Sequence, residues 1–181
     1  MDALLWEDLR SQQVRFEAIA RTCPLAGLRV LDVGCGQADL LGYLRTRGIA
    51  PAYYTGLEAQ PWLARAARRK GYDNCSVALG DFVKQPKTLD VGASVLVFSG
   101  SLNFLPSRLF YRALDSAWAA TRRWLAFNFL CSPDLAGAAG LHWHHKGAVL
   151  AFARRRTSSV RLDDGYEDGD CTVVMRKPGR G

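Results

Sequence analysis

The chain has 181 residues, 49% of them hydrophobic, enough for one sizeable core and short for a separate substrate domain. No apolar run approaches the roughly 20 residues of a membrane span, and the opening MDALLWEDLR carries acids where a signal peptide would be apolar. The expected setting is therefore the cytoplasm, with no membrane partner. The formal charge of +7 admits an anionic partner, but the basic residues form short clusters at predicted helix ends (Arg65, Arg68, Arg69 and Lys70; Arg122 and Arg123; Arg154, Arg155 and Arg156), where cations suit the helix dipole.

Short β-branched runs alternate with longer amphipathic ones, the pattern of an α/β domain. Leu4, Leu5, Leu9, Phe16, Ile19 and Ala20 recur at near-helical spacing and predict a leading helix ending before Pro24. A first strand over about 28–33 runs through glycines into a helix over 39–47. A second strand (53–57) follows Gly48, and Pro61 opens a helix that Gly71 ends. Strands at 76–79, 93–98 and 124–130 follow, with a helix over 108–121 before the last. The segment 132–147 reads as a loop with a short helix after it. The tail SSVRLDDGYEDGDCTVVMRK predicts a hairpin that turns the last strand antiparallel in an otherwise parallel sheet.

Five scattered cysteines (Cys23, Cys35, Cys75, Cys131, Cys171), none in a CxxC pair, predict thiols rather than a disulfide framework or a zinc site.

The most informative stretch is VLDVGCGQADLL, with Asp32, Gly34, Cys35 and Gly36 at a strand-to-helix turn, where open α/β sheets bind ligands. A dinucleotide fold would set GxGxxG here and receive a pyrophosphate on the helix N-terminus. This chain has Asp39 at the third glycine's place and a second acid, Asp32, two residues before Gly34. Two carboxylates beside the turn repel a pyrophosphate and attract a cation. S-adenosylmethionine (SAM), which has no phosphate and carries an ammonium and a sulfonium, fits that charge better. Glu58, with the adjoining Ala59, ends the second strand 26 residues after Asp32, where an acid can accept ribose hydroxyls. Gly80-Asp81-Phe82 follows the third strand, where a carboxylate can take adenine amino hydrogens and an aromatic can cover the ring.

This ordered set resembles the class I SAM-dependent methyltransferase superfamily, over about Ser11 to Lys177. The resemblance implies a Rossmann-like, doubly wound, mostly parallel sheet with one antiparallel C-terminal strand. It implies a single SAM-binding domain over 1–181, with residues 1–22 as a helix over the cofactor and 28–177 as the core, and S-adenosylhomocysteine (SAH) as product. Asp32, Gly34 and Gly36 match the superfamily's acid and GxGxG, with Ala38 in place of the last glycine. By the same resemblance Glu58 binds the ribose, Asp81 and Phe82 the adenine, and Ser99 and Gly100 line the pocket facing the methyl. SQQVRFEAIA, AFNFL and CTVVMRK are similar to a subgroup of small bacterial methyltransferases. That likeness implies Arg15 pairing the methionine carboxylate and Gln12 adding a hydrogen bond.

In-line methyl transfer asks mainly for positioning, with a general base where the acceptor carries a proton. His142 and His144, in the loop after the fifth strand, are the candidate bases. Asn103 and Asn128 could each orient an acceptor or satisfy backbone groups. The HWHH cluster lacks further ligands, so no metal is expected. SGSLNF stands where superfamily members that methylate exocyclic amines carry an Asn/Asp-Pro-Pro-aromatic motif, which disfavours amino-methylation of DNA or RNA; one compact domain with no obvious insertion offers little surface for a macromolecule, so a small-molecule acceptor is the main expectation. Two alternatives stay open. One is a SAM-binding partner or regulatory domain without turnover. The other is an RNA methyltransferase, which requires Arg65, Arg68, Arg154, Arg155 and Arg161 on one surface beside the pocket.

Overall fold

A computed structural model of the chain describes residues 9–136 and 140–179. Leu4, Leu5 and Trp6 of the leading segment lie outside the described residues. The elements are α1 (Leu9–Thr22), β1 (Arg29–Val33), α2 (Asp39–Thr46), β2 (Tyr53–Glu58), α3 (Pro61–Arg69), β3 (Cys75–Leu79), β4 (Val95–Phe98), α4 (Ser107–Ala120), β5 (Trp124–Leu130), α5 (Lys146–Arg154), β6 (Val160–Asp163) and β7 (Asp170–Arg176). Short 3-10 turns at Pro86–Leu89, Ser101–Phe104 and Pro133–Leu135 complete them.

The strands form one sheet in the order β3-β2-β1-β4-β5-β7-β6. β1 to β5 pair in parallel, while β7 runs antiparallel to both β5 and β6, so β7 is the single reversed strand. Helices cover both faces. Phe16 and Ile19 of α1, Leu40, Leu41 and Leu44 of α2, and Ala64 and Ala67 of α3 fill one core. Phe110, Leu114 and Ala117 of α4 with Val149 and Phe152 of α5 fill the other. Burial on both faces explains why β4 and β5 read as unbroken apolar runs: all eleven of their residues are buried.

The chain leaves β1 on one side and β4 on the other, so their C-terminal ends diverge. That switch point is where an open α/β sheet leaves a crevice. No helix among the described residues is long and apolar enough to cross a membrane.

Candidate ligand cavity at the switch point

A cavity of about 380 Å³ occupies that crevice, within the range of small-molecule sites. It is lined by the exits of β1, β2 and β4 and, from α1, by Gln12 and Phe16. Of the residues singled out in the sequence, Gln12, Asp32, Gly34, Cys35, Gly36, Glu58, Ala59, Asp81, Phe82, Ser99 and Gly100 all line it. They come together because the parallel register sets the ends of β1, β2 and β3 side by side: Val33 pairs Leu57, and Glu58 pairs Leu79.

The β1–α2 turn is built on left-handed residues at every second position, Gly34 (φ +73°), Gly36 (φ +54°) and Ala38 (φ +58°). The first two are glycines for reasons beyond φ. The N–H groups of Gly34 and Cys35 both donate to the Leu57 carbonyl, at 2.7 and 3.1 Å. A Cβ at Gly34 would fall 2.4 Å from Cβ of Ser101, an approach that only glycine allows. Ser101 in turn donates its hydroxyl to the Val33 carbonyl at 2.6 Å, tying the β4 exit to the β1 exit. Ala38, which replaces the resemblance's last glycine, keeps the glycine's backbone conformation although it carries a methyl group, and is fully buried.

Glu58 fixes the turn from the β2 side. One carboxylate oxygen accepts the Gly36 N–H at 2.9 Å and the other the Gln60 N–H at 2.8 Å. Each oxygen keeps a second lone pair, so the group can still accept from a ligand. Asp32 is buried at the base of the cavity, where the Tyr54 hydroxyl donates to it. Burial, with Glu58 and Asp39 as negative neighbours, raises its pKa to about 7 despite the tyrosine. Asp39 has its own counter-ion, Lys70 at 2.6 Å. A cation entering the cavity would therefore relieve Asp32 in particular.

Asp81 sits at the rim. Although burial opposes it, the Lys84 N–H at 3.2 Å, the Lys84 ammonium at 3.3 Å and the Val83 N–H at 3.0 Å keep its carboxyl ionised below its usual range. Phe82 packs edge-on to Phe98, ring centres 5.4 Å apart, presenting an aromatic wall. At the β4 exit Gly100 adopts φ +78°, and its N–H donates to Oδ1 of Asn128 at 2.7 Å. Asn128 thus holds the pocket wall through the backbone. The buried hydroxyl of Ser99, a residue that lines the cavity, and Nδ2 of Asn128 have no hydrogen-bond partner among the described residues.

Other expectations need correction. Arg15 does not line the cavity; its Nε donates to Asp170, a buried carboxylate on β7 that also accepts from the Tyr166 hydroxyl at 2.7 Å. That pair fastens α1 to the sheet. His144, a candidate base, is buried and stacked on Phe110 with ring centres 3.8 Å apart, and burial lowers its pKa to about 4. A group so hard to protonate suits packing better than proton transfer. Asn103 accepts the Leu130 N–H at 3.3 Å through its side chain and the His142 N–H at 2.7 Å through its carbonyl. Asn103 and His142 thereby anchor the segment after β5, and neither lines the cavity. Ser101, Phe104 and Leu105 do, and sequence reasoning missed them. Their signal was faint, lying only in their position directly after the strand opposite the glycine turn.

No family model matches the chain. It is 33% identical over 163 residues to Rv1506c of Mycobacterium tuberculosis, provisionally named a methyltransferase, an alignment covering 81% of this chain and 91% of that one. It is 28% identical over 151 residues to trans-aconitate 2-methyltransferase of the same species, covering 82% of this chain but 52% of that enzyme, so it spans about half that relative's length. Two solved structures share the fold. Magnesium protoporphyrin IX methyltransferase of Synechocystis PCC 6803, with bound SAH, superposes at TM-score 0.71 with 13% identity over 93% of this chain and 84% of that one. An O-methyltransferase family protein of Burkholderia thailandensis gives 0.74 with 13% identity over 94% and 57%.

Proposed function

Because the chain belongs to the class I SAM-dependent methyltransferases, we propose that its switch-point cavity holds SAM and that it transfers the methyl group to a small molecule entering beside the β4 exit. The single observation that carries this reading is Asp32, a buried carboxylate at the cavity base with acids and no cation beside it among the described residues. An isolated buried charge is costly, and a ligand bearing an ammonium removes that cost. The other lining groups support the same ligand. Glu58 keeps free lone pairs for two ribose hydroxyls, Phe82 offers a face for an adenine, and Ser99 has an unused buried hydroxyl.

When bound, SAM supplies an electrophilic methyl on a positively charged sulfur. The protein's contribution is positional. The glycine turn and Ser101 fix the cofactor side, Asn128 fixes Gly100 and with it the wall facing the methyl, and Phe104 and Leu105 extend that wall toward the mouth. Aligning the reacting atoms in this way is worth several kcal/mol in a displacement reaction. Arg15 acts at one remove, as a positioning residue: through Asp170 it holds α1, whose Gln12 and Phe16 line the cavity.

A small acceptor is favoured over RNA by where the basic residues stand. Arg65 and Arg68 are on α3, against β2 and β3, whereas Arg154 and Arg155 end α5 and Arg161 is on β6, at the other edge of the sheet. Six strand spacings of about 4.8 Å separate β3 from β6, roughly 29 Å. They do not make one basic surface beside the pocket. The test is calorimetric titration with SAM and SAH. Micromolar binding that is lost in an Asp32→Ala, Glu58→Ala double variant supports the reading, and a folded wild-type protein that binds neither ligand removes it.

A further inference from the structure

All five cysteines lie within the described residues, and all are free thiols. One pair stands apart by its placement. Cys171 on β7 is opposite Phe129 of β5, and the Cys131 N–H donates to the Gly169 carbonyl at 2.7 Å. The two cysteines therefore lie diagonally on neighbouring antiparallel strands, on one face of the sheet. Their side chains touch: Sγ of Cys171 donates to Sγ of Cys131 at 2.6 Å. The diagonal straddles the Leu130–Asp170 pair, and with it the carboxylate that holds Arg15. We propose that Cys131 and Cys171 form a redox modification site, at which a small hydroperoxide converts the contacting thiols into a reversible intramolecular disulfide. This site is independent of what the cavity binds.

The two sulfurs are unequally placed. Cys171 is fully buried, which pushes its thiol pKa up, whereas Cys131 is only partly buried. An oxidant reacts where it can reach a sulfur, so Cys131 is oxidised first and Cys171 resolves the product. Lys146, the first residue of α5, stands near both sulfurs and pairs with Asp164 at 2.8 Å. Its charge favours an ionised Cys171, and that of Asp164 opposes it.

With hydrogen peroxide the chemistry runs in two steps. Cys131 gives its proton to water, and its sulfur attacks one peroxide oxygen. The O–O bond breaks, the departing hydroxide takes up a proton as water, and a sulfenic acid remains on Cys131. The Cys171 sulfur then attacks the Cys131 sulfur, the S–O bond breaks, and the hydroxide leaves as water with the Cys171 proton. The two thiols together lose two electrons, and the peroxide gains them. Contact between the sulfurs makes the second step intramolecular, which offsets the reluctance of Cys171 to ionise. A dithiol reverses the bond by exchange.

The test takes the full folded chain, fully reduced, and exposes it to a slight excess of hydrogen peroxide. Alkylation with iodoacetamide under denaturing conditions then marks every remaining thiol for mass spectrometry. Cys131 and Cys171 should escape alkylation and appear as one linked peptide pair, about 2 Da lighter than the two thiol peptides together. Cys23, Cys35 and Cys75 should be alkylated; Cys35 and Cys75, neighbours on the other face of the sheet, serve as the internal comparison. Dithiothreitol should restore alkylation at both Cys131 and Cys171. In Cys171→Ser the reaction should stop at a sulfenic acid on Cys131, which dimedone traps, and in Cys131→Ser no such adduct should form at Cys171. Oxidised wild-type protein should unfold at a higher temperature than reduced protein, because the bond joins residues 40 apart in the chain. Alkylation of all the cysteines after peroxide, a Cys35–Cys75 link, or a link between Cys131 residues of two chains would each overturn the proposal. So would a lower unfolding temperature on oxidation, since the native sheet would then not accommodate the bond. Mapping in the wild-type chain decides the matter even if a serine variant fails to fold.

Discussion

Two buried aspartates, one on β1 and one on β7, have been given opposite surroundings. Asp170 on β7 receives Tyr166 and the Arg15 guanidinium, so its charge is matched inside the protein. Among the described residues Asp32 on β1 receives only Tyr54, with Glu58 and Asp39 as negative neighbours. Burial raises both pKa values, but at Asp170 the arginine opposes the rise, whereas at Asp32 the neighbouring acids add to it. The contrast teaches how to tell a structural carboxylate from a binding one in a fold that buries both. The structural group is completed by the chain, and the binding group is left for a ligand to complete.

The largest effect should come from breaking the completed site. Arg15→Ala leaves Asp170 buried beside Tyr166 alone and should cost about 3 kcal/mol of stability in urea unfolding at pH 8. Since Asp170 can escape its charge by taking a proton, the loss should shrink at pH 5. A variant that unfolds like the wild type at both pH values would mean that the pair is not structural.

Asp32→Asn should do the reverse on stability while abolishing binding. The folded pKa of Asp32, about 7, lies above its ordinary 3.8. The folded state therefore holds the extra proton in that window, and the group's ionisation costs stability as pH rises from 4 through 7. The neutral amide avoids that cost, so the variant should be more stable than wild type at pH 8 and not at pH 4. It should bind SAM about 100-fold more weakly, since it no longer pairs the ammonium. Unchanged SAM affinity would sink the assignment of Asp32 to the ligand.

A smaller effect sharpens the comparison. Because a bound cation favours ionised Asp32, wild-type affinity for SAM should rise about tenfold between pH 6 and 8 relative to the Asp32→Asn profile, which carries the ligand's own titration. Parallel profiles would show that Asp32 does not give up a proton on binding. Smallest of all is Ala38→Gly. Relief of a left-handed alanine is worth about 1–2 kcal/mol, against about 0.8 for its buried methyl and a similar entropy term from the unfolded chain. Thermal unfolding should shift by no more than the equivalent of about 1 kcal/mol.

How much of this was legible in the sequence depended on distance along the chain. β5 is bounded by Trp124 and Leu130 as expected because a run buried on both faces needs no partner to be recognised. The glycine turn, Glu58 and Asp81 were legible for a related reason: each lies at the end of a strand whose order fixes its neighbours. The Arg15–Asp170 pair was not legible because its partners are 155 residues apart, the second on a strand whose position between β5 and β6 no local pattern reveals. Ser101 was missed for the same reason. It works by a steric approach to Gly34 and a hydrogen bond to Val33, 68 residues earlier. His144 looked like chemistry because a histidine in a polar loop usually meets water, whereas this one is folded onto Phe110.

The insertion of β7 between β5 and β6 also has a consequence in time. During synthesis β1 to β5 can pair as they emerge, but β5 keeps an open edge until residues 170–176 arrive, and α1 lacks its anchor Asp170 until that same moment. An exposed apolar strand edge invites association with other chains. A nascent chain of this protein is therefore exposed to aggregation from the time β5 emerges until β7 arrives. α1, made before β1, is secured only when β7 is in place.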